Sequence, residues 1–192
     1  DELLGLIVRE GGRSIPDAIS ELREAVDFMR YYGAQAKKHF GEPIVLPGPT
    51  GERNTLSMRG KGVFIAISPW NFPLAIYTGQ ITAALAAGNA VLAKPAAPTP
   101  LIGYRAVQLL HQAGVPADVL HFVPGSGRLI GERAVADPRN ADLRVWVGDR
   151  LWPREEARVS GVNSKMWDSG CFIRTHRLVR SLSAVWRRTT LA

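Results

Sequence analysis

Apolar residues recur every three or four positions near the start of the chain, and this spacing predicts an amphipathic helix over Ile15–Phe40. Ser14 and Asp17 fit the N-cap and the first helical turn, where a hydroxyl and a carboxylate stabilise free backbone N–H groups. The opposite face is charged. We therefore expect a helix that packs through one face, formed by Ile15, Ile19, Leu22, Val26 and Met29.

After residue 62 the pattern changes to short apolar runs that alternate with helical segments. The apolar runs predict strands at 63–67, 90–93 and 119–123, and the other segments predict helices at about 74–87, 100–113 and 128–136. Gly88 follows the first of these helices, as a left-handed C-cap requires, and Thr99 with Pro100 opens the second. Residues 41–62 are dense in Pro and Gly, and predict a crossing loop with a short extended piece at Ile44–Leu46.

Strands that alternate with helices are typical of an α/β fold, in which crossover helices cover a parallel sheet. In such sheets ligands bind at the carboxyl ends of the strands. Three loops leave those ends, and we expect them to converge on one site: SPWNFP (68–73), KPAAPT (94–99) and PGSG (124–127).

The first of these loops places Asn71 between two aromatic residues and two prolines. An asparagine in a loop commonly hydrogen-bonds the backbone and stabilises a turn. Alternatively, the prolines stiffen the backbone and the rings fix the packing, so that the amide N–H points to a place where negative charge develops in a reaction. The residues alone leave both interpretations open.

The other two loops contain a lysine and a group of glycines. Lys94 ends an apolar strand, where it can hold the ribose or phosphate oxygens of a cofactor or extend its ammonium group into water; the spacing alone favours the second role. Gly125, Ser126, Gly127 and Gly131 suit a backbone that approaches a phosphate, although a plain strand-to-helix turn explains them equally well. The residues thus predict an α/β fold with a nucleotide site, and no particular reaction.

The composition shows that the chain can form one full core and that it has two parts. It has 192 residues, of which 46% are hydrophobic, so it is not a disordered protein. Of the net charge of +7, residues 144–192 carry +6, with ten basic residues against four acidic ones, and four of the five tryptophans also lie there. This uneven distribution argues against a nucleic-acid-binding role for the chain as a whole.

The cysteine and histidine positions predict neither a metal site nor a disulfide framework. Cys171 is the single cysteine, and the four histidines lie far apart, without metal-ligand spacing. No apolar run reaches the roughly 18 residues that span a bilayer, and the acidic N-terminus has no basic region ahead of an apolar one. We therefore expect a soluble cytoplasmic protein without a membrane partner.

The three loops together resemble the cofactor-binding region of the aldehyde dehydrogenase superfamily. The family pattern is an apolar strand, PWNFP, AALAAGN, a strand end with KP and a PGxG turn; this chain has GVFIAISPWNFPLAIYTGQITAALAAGNAVLAKPAAPTP and VLHFVPGSGRLIG. The segments REAVDFMRYYGAQA, LPGPTGERNTL and GQITAALAAGN are most similar to the L-glutamate γ-semialdehyde (Δ1-pyrroline-5-carboxylate) dehydrogenase part of bifunctional proline utilization A proteins. The resemblance covers about residues 1–142. It implies a helical and loop segment over 1–62, followed by a partial Rossmann-like NAD-binding domain over 63–142.

The resemblance also implies a reaction, the NAD-dependent oxidation of the small aldehyde glutamate γ-semialdehyde to glutamate in proline breakdown. Asn71 matches the asparagine that stabilises the oxyanion of the thiohemiacetal. Ala97 departs from the pattern, because many members have a glutamate there that accepts hydrogen bonds from the ribose hydroxyls. The residues that match cofactor contacts are Ile67, Ser68, Pro69 and Trp70 at the nicotinamide and pyrophosphate half, Lys94 at the adenosine ribose, and Gly127 and Gly131 beside the adenine.

The family pattern is lost from Leu143 onward. A member would continue with FTGS, then a glutamate base and a catalytic cysteine, whereas this chain has RVWVGDRLWPREEARV. Cys171 lacks the family's flanking residues and Glu155 and Glu156 lie in no ETGG-like motif, so we assign none of them a catalytic role. We interpret residues 143–192 as a basic Arg/Trp-rich tail from a shifted reading frame, which would make the chain a truncated, inactive enzyme.

Two other interpretations stay open. The chain can be a non-catalytic nucleotide-binding module, because it keeps three converging loops without the second half of the sheet. The tail can be a basic module that binds nucleic acid through arginine and tryptophan, although residues 177–188 offer only a short cationic segment. Salt-dependent retention of a tail peptide on nucleic acid would support the second alternative.

We predict that the coding DNA beyond codon 143, read in its other two frames, restores an FTGS-like sequence. A frameshift replaces every residue downstream and leaves those upstream intact, which matches the abrupt rise in arginine and tryptophan. Sequencing the locus checks this. Absence of the motif from both frames would remove the frameshift interpretation.

Overall fold

A computed structural model describes residues 1–136, 145–147 and 150–152 of the chain. Within these residues the helices are α1 (Glu2–Gly11), α2 (Ile15–Phe40), α3 (Ala75–Ala86), α4 (Pro100–Gln112) and α5 (Glu132–Ala136). The strands are β1 (Ile44–Leu46), β2 (Asn54–Leu56), β3 (Val63–Ile67), β4 (Ala90–Lys94), β5 (Leu120–Phe122), β6 (Val145–Val147) and β7 (Arg150–Trp152).

The centre of the fold is a parallel sheet in the order β3-β4-β5. In β3 and β4, Val63 pairs with Ala90 and Ile67 with Lys94, so the two strands end level with each other. Helices α3 and α4 are the crossovers between successive strands, as the alternating pattern predicts. The α/β class and the parallel sheet are therefore confirmed.

Helix α3 has small or apolar residues on every side, and it lies between α2 and the sheet. Tyr77 and Ile81 are fully buried within it. At Gly79 an added Cβ would lie 3.0 Å from the ring of Phe28 in α2, so a larger residue would force that ring to shift by a few tenths of an ångström. One hydrophobic core joins α1 and α2 to the sheet and its crossovers, and its larger members include Ile7, Tyr77, Ile81, Val91, Ile102 and Leu120.

Several elements differ from the expectation. Helix α1 was not predicted, although it buries Ile7 completely and ends at Gly12, whose φ of 64° is left-handed. Strand β2 was also missed; it pairs antiparallel with the predicted β1 inside the Pro/Gly-rich segment. The short antiparallel pair β6-β7 was not foreseen either. The predicted last helix begins as one π-helical turn, Gly127–Gly131, and continues as α5.

Asn89 joins the end of α3 to the start of the sheet. Gly88 has the positive φ expected of the residue that ends α3, at 82°. The buried side chain of Asn89 then donates from Nδ2 to the carbonyl of Ala84, at 3.0 Å, and its Oδ1 accepts from the backbone N–H groups of Lys61 and Gly62. One amide thus satisfies three backbone groups of two separate segments.

We predict that Asn89→Ala destabilises the chain by about 1–2 kcal/mol, because two backbone donors lose their acceptor in a partly buried place, whereas the carbonyl that the side chain also bonds keeps a backbone N–H partner. Urea unfolding of the two proteins measures the difference. Asn54→Ala is the matched control, since the bonds that its amide makes within the described residues, to Pro47 and Glu52, are exposed, and it should cost less than about 1 kcal/mol. Equal losses in the two variants would contradict a special role for Asn89.

Candidate cofactor and catalytic site

The three predicted loops begin side by side at one edge of the sheet. The backbone N–H of Ser68 donates to the carbonyl of Lys94 at 3.2 Å, and that of Val123 donates to the carbonyl of Ala93 at 2.9 Å. These bonds join the residue after β3 to the end of β4, and the residue after β5 to the same strand. The structure therefore brings Ile67, Ser68 and Lys94 together, and places the third loop beside them.

The residues of the first loop differ in exposure. Ser68 is buried and its hydroxyl donates to Oε1 of the buried Gln80 in α3, at 2.9 Å. Pro69 is half-buried, whereas Trp70 presents 43% of its surface to solvent. The loop is thus buried where it leaves the sheet, at Ser68, and becomes exposed to solvent two residues later, at Trp70.

Lys94 is buried, with an exposure of only 4%. Its ammonium group donates to the carbonyl of Pro95 at 3.1 Å, and burial lowers the pKa of Lys94 below its ordinary value. The interpretation that spacing alone favoured, a lysine that extends into water, is therefore wrong. A buried ammonium group with one carbonyl acceptor is suited to a ligand that brings further oxygen acceptors, such as ribose hydroxyls.

The third loop leads into the π-helical turn. Ser126 caps this turn by accepting from the backbone N–H of Leu129 at 3.2 Å, and Gly125 has a φ of 148°. Gly127 is exposed and Gly131 is buried. The cap bond explains why a serine occupies position 126. Gly127 is exposed, so its backbone is accessible to a ligand at this end of the sheet.

Asn71 does not stabilise a turn with its side chain. A turn of that kind requires Oδ1 to accept a backbone N–H, and Oδ1 of Asn71 is buried without a hydrogen-bond partner among the described residues. The backbone carbonyl of Asn71 instead accepts from Nη1 of Arg13, at 3.2 Å. The Oδ1 bond that the first interpretation calls for is therefore absent among the described residues, and the role of the amide stays a prediction.

Arg13 and Glu21 hold the end of the first loop, and we call this pair the Arg13–Glu21 clamp. Oε1 of Glu21 accepts from the backbone N–H groups of Leu74 and Ala75, at 2.8 and 3.2 Å, at the start of α3. Oε2 of Glu21 lies 3.8 Å from Nε of Arg13, whose guanidinium carbon lies 4.3 Å from the centre of the Phe72 ring. Sequence reasoning missed this clamp because the packing face predicted for α2 is wrong at its start: Ile15 and Ile19 are exposed. The buried residues of α2 are Ala18, Glu21, Ala25 and Tyr32.

A second carboxylate caps the start of α4 in the same way. Glu10 accepts from the backbone N–H of Leu101 at 3.0 Å and from that of Ile102 at 2.7 Å. Thr99 occupies the predicted N-cap position, but its side chain makes no cap bond and its buried hydroxyl has no partner among the described residues. The expected threonine cap is thus replaced by Glu10, whose two oxygens reach two N–H groups at once.

An open cleft of about 490 Å³ lies beside the clamp. Charged side chains of both signs line it together with two aromatic rings: Arg13, Ser20, Glu21, Arg23, Glu24, Asp27, Phe28 and Phe72. Its walls could therefore contact an ammonium group and a carboxylate of the same small molecule.

The remaining sequence candidates lie elsewhere. Cys171, Glu155 and Glu156 fall outside the described residues. Within those residues no group of three His, Cys, Asp or Glu side chains could hold a metal ion. In the same part of the chain, no helix combines the length and the apolar character that crossing a membrane requires.

Comparison with known proteins gives a consistent result. The Aldehyde dehydrogenase family pattern matches residues 1–145. The bifunctional protein PutA of Rhizobium meliloti is 51% identical over 134 residues, which are 70% of this chain and 10% of that protein. The 1-pyrroline-5-carboxylate dehydrogenase of Anoxybacillus flavithermus is 44% identical over 157 residues, which are 80% of this chain and 30% of the relative.

Solved structures agree with these relatives. A crystal structure of a Bradyrhizobium japonicum proline utilization A variant superimposes with a TM-score of 0.69 at 60% identity, over 71% of this chain and 14% of the other. The 1-pyrroline-5-carboxylate dehydrogenase from Thermus with bound NAD gives a TM-score of 0.68 at 38% identity, over 72% of this chain and 27% of the other. The chain thus spans from about a tenth to less than a third of the length of these relatives.

We predict that Glu21→Gln changes how the free energy of unfolding depends on pH. Burial raises the pKa of the Glu21 carboxyl above its ordinary value of 4.5, and the N–H groups of Leu74 and Ala75 with the Arg13 guanidinium offset only part of the rise. The folded state therefore binds this proton more tightly than the unfolded state. Its contribution to stability is full below the ordinary pKa and is lost as the pH rises through the folded pKa.

Urea unfolding of both proteins between about pH 4 and pH 8 checks this expectation. The stability of the native chain relative to the variant should fall as the pH rises, and then level off. A relative stability that rises with pH would mean that the folded state favours the ionised carboxylate.

Proposed function

The chain belongs to the aldehyde dehydrogenase family, and we propose that its residues 1–142 form part of the cofactor-binding unit of an enzyme that oxidises L-glutamate γ-semialdehyde to glutamate with NAD+. The names of its relatives, PutA and 1-pyrroline-5-carboxylate dehydrogenase, support this place in proline degradation. The observation that carries the proposal is the Ser68–Lys94 backbone bond, because it places the asparagine loop beside the buried lysine.

The proposed cofactor site lies at the carboxyl edge of the sheet. The backbone of Ile67, Ser68, Pro69 and Trp70 would border the nicotinamide and pyrophosphate half, Lys94 would donate to the ribose oxygens, and Gly127 and Gly131 would lie near the adenine. The buried ammonium group of Lys94, with its one carbonyl acceptor, supports this assignment. NAD+ supplies the acceptor for the hydride that leaves the aldehyde carbon.

Ala97 bears on the choice between NAD and NADP. It is exposed in the loop after Lys94 and offers no acceptor for the ribose hydroxyls. A glutamate at this position would contribute a charge-assisted bond of about 1.5–3 kcal/mol and would repel a 2′-phosphate. We propose NAD, in agreement with the bound NAD of the Thermus relative, and infer that this chain favours it less strongly than members with the glutamate.

Asn71 is the proposed oxyanion donor. Its side-chain N–H groups would hydrogen-bond the carbonyl oxygen of the substrate as negative charge develops there. The bond from Arg13 to the carbonyl of Asn71 limits movement of the backbone that carries this amide. The cleft beside Phe72, with charges of both signs, suits the ammonium and carboxylate groups of an amino-acid aldehyde.

We propose that these 192 residues do not carry out the reaction by themselves. The family match ends at residue 145, close to Leu143, where the composition changes. The reaction also needs a thiolate and a base, and the sequence beyond this point has neither motif. The competing proposal is a nucleotide-binding fragment without catalysis, which the retained Lys94 loop favours.

We predict that Asn71→Ala lowers kcat by about 10²–10³-fold, the usual effect of losing one oxyanion donor, while NAD+ affinity changes little. The test uses a restored enzyme, in which the matching sequence of the Rhizobium meliloti relative replaces everything after residue 142. Lys94→Ala is the contrasting variant and should mainly weaken NAD+ binding. Normal turnover in the asparagine variant, or unchanged cofactor affinity in the lysine variant, would contradict the respective role.

We also predict that the purified 192-residue chain does not oxidise glutamate γ-semialdehyde, because groups that act as a unit lose almost the whole rate when members are missing. Formation of NADH, followed by absorbance, measures this. Weak NAD+ binding without turnover is the expected result. Turnover above background that disappears in Cys171→Ser would show instead that this cysteine is a nucleophile.

A further inference from the structure

The amide of Asn71 depends on its backbone for its orientation. Oδ1 is buried and accepts no hydrogen bond from the described residues, so no bond to that atom fixes the side chain within this part of the protein. The backbone is held instead by Arg13, which lies 58 positions before Asn71, and by Glu21, which lies 53 positions before the N–H of Leu74 that it bonds. We propose that Arg13 and Glu21 are positioning residues that set the orientation of Asn71, an inference that rests on the oxyanion role proposed above.

The sequence around the start of α3 explains why a distant carboxylate is needed. The residues before the helix are Pro73 and Leu74, and neither side chain can accept a hydrogen bond from the first N–H groups. Glu21 supplies that acceptor from α2, and its side chain is fully buried. A buried carboxylate is costly unless its charge is offset, and here the two N–H groups at the helix start bond Oε1 while the guanidinium group of Arg13 lies 3.8 Å from Oε2.

Arg13 connects the cap at the start of α3 to the backbone of Asn71. Its Nη1 donates to the carbonyl of Asn71, its Nε faces Oε2 of Glu21, and its planar face covers the ring of Phe72. The guanidinium group therefore contacts two successive loop residues on one side and the cap of α3 on the other. A rotation of the Asn71 peptide would break at least one of these contacts.

Glu10 offers a comparison within the same chain. It also accepts two N–H bonds at a helix start, in α4, yet no arginine among the described residues connects it to the asparagine loop. Loss of the cap should therefore lower stability in variants of Glu10 and of Glu21 alike. Only changes in the Arg13–Glu21 clamp should also displace Asn71 and lower the rate. Misplacement of a catalytic group by about 1 Å can lower a rate by about 10²-fold.

The experiment measures kcat, the KM for NAD+ and the melting temperature in the restored enzyme. Arg13→Met and Glu21→Gln should each lower kcat by about 10–10²-fold with little change in the KM for NAD+. Arg13→Lys keeps the charge beside Glu21 and should recover part of the rate. Glu10→Gln is the matched control, and it should leave kcat unchanged even where it lowers the melting temperature.

A double variant separates positioning from a merely structural role. If the clamp acts through Asn71, then Arg13→Met should lower kcat no further once Asn71→Ala is present. If the Arg13→Met and Asn71→Ala variants instead lower kcat independently, so that their effects multiply, the proposal is overturned. A normal kcat in Arg13→Met would overturn it too, and so would a normal kcat in the double variant Arg13→Lys/Glu21→Gln. Arg13→Lys keeps the proposal testable if the methionine variant does not fold, because a full rate without the Nη1 bond to Asn71 would also overturn it.

The proposed function fails in a different way. In that case Asn71→Ala itself has a normal kcat, whatever Arg13 and Glu21 do. Amide hydrogen exchange at Leu74 and Ala75 in the 192-residue chain reports on the clamp without any catalysis. Faster exchange in Glu21→Ala than in Glu10→Ala is expected at these two amides, and equal exchange would overturn the clamp.

Discussion

Helix α3 has no polar face, and the rest of the structure is arranged to keep it from water. The sheet covers one side and α2 covers another, at a distance so short that Gly79 meets the ring of Phe28. Burial on all sides removes water as a partner for the free N–H groups at the start of the helix. An acceptor must therefore come from another element, and the sequence just before α3 contains none.

Glu21 supplies the acceptor that the start of α3 lacks, but it also brings a buried negative charge. The remaining oxygen of this buried carboxylate accepts no hydrogen bond from the described residues, and the guanidinium group of Arg13, 3.8 Å away, offsets its charge. The arginine in turn has donors to spare, and one of them reaches the carbonyl of Asn71. The two charged side chains that the buried start of α3 requires thus also hold the loop that follows β3.

The sequence predicted the central sheet because its strands and crossovers are short, strongly apolar and separated by Gly, Pro and Thr. It also placed the three loops at one edge, since that follows from a parallel sheet alone. It did not predict α1, whose ten residues become a helix chiefly by burying Ile7 in a core formed by later elements. The roles of Glu10 and Glu21 were equally hidden, because each acts on backbone groups that lie far away in the sequence.

The two carboxylate caps also order the assembly of the protein in time. Glu21 lies 53 positions before the first N–H group that it caps, and Glu10 lies 91 positions before its own. During synthesis α1 and α2 leave the ribosome well before α3 and α4, because chains emerge from the N-terminus onward. Each crossover helix therefore forms only after the carboxylate that caps it has been synthesised, and until then the capping oxygens have only water as a partner.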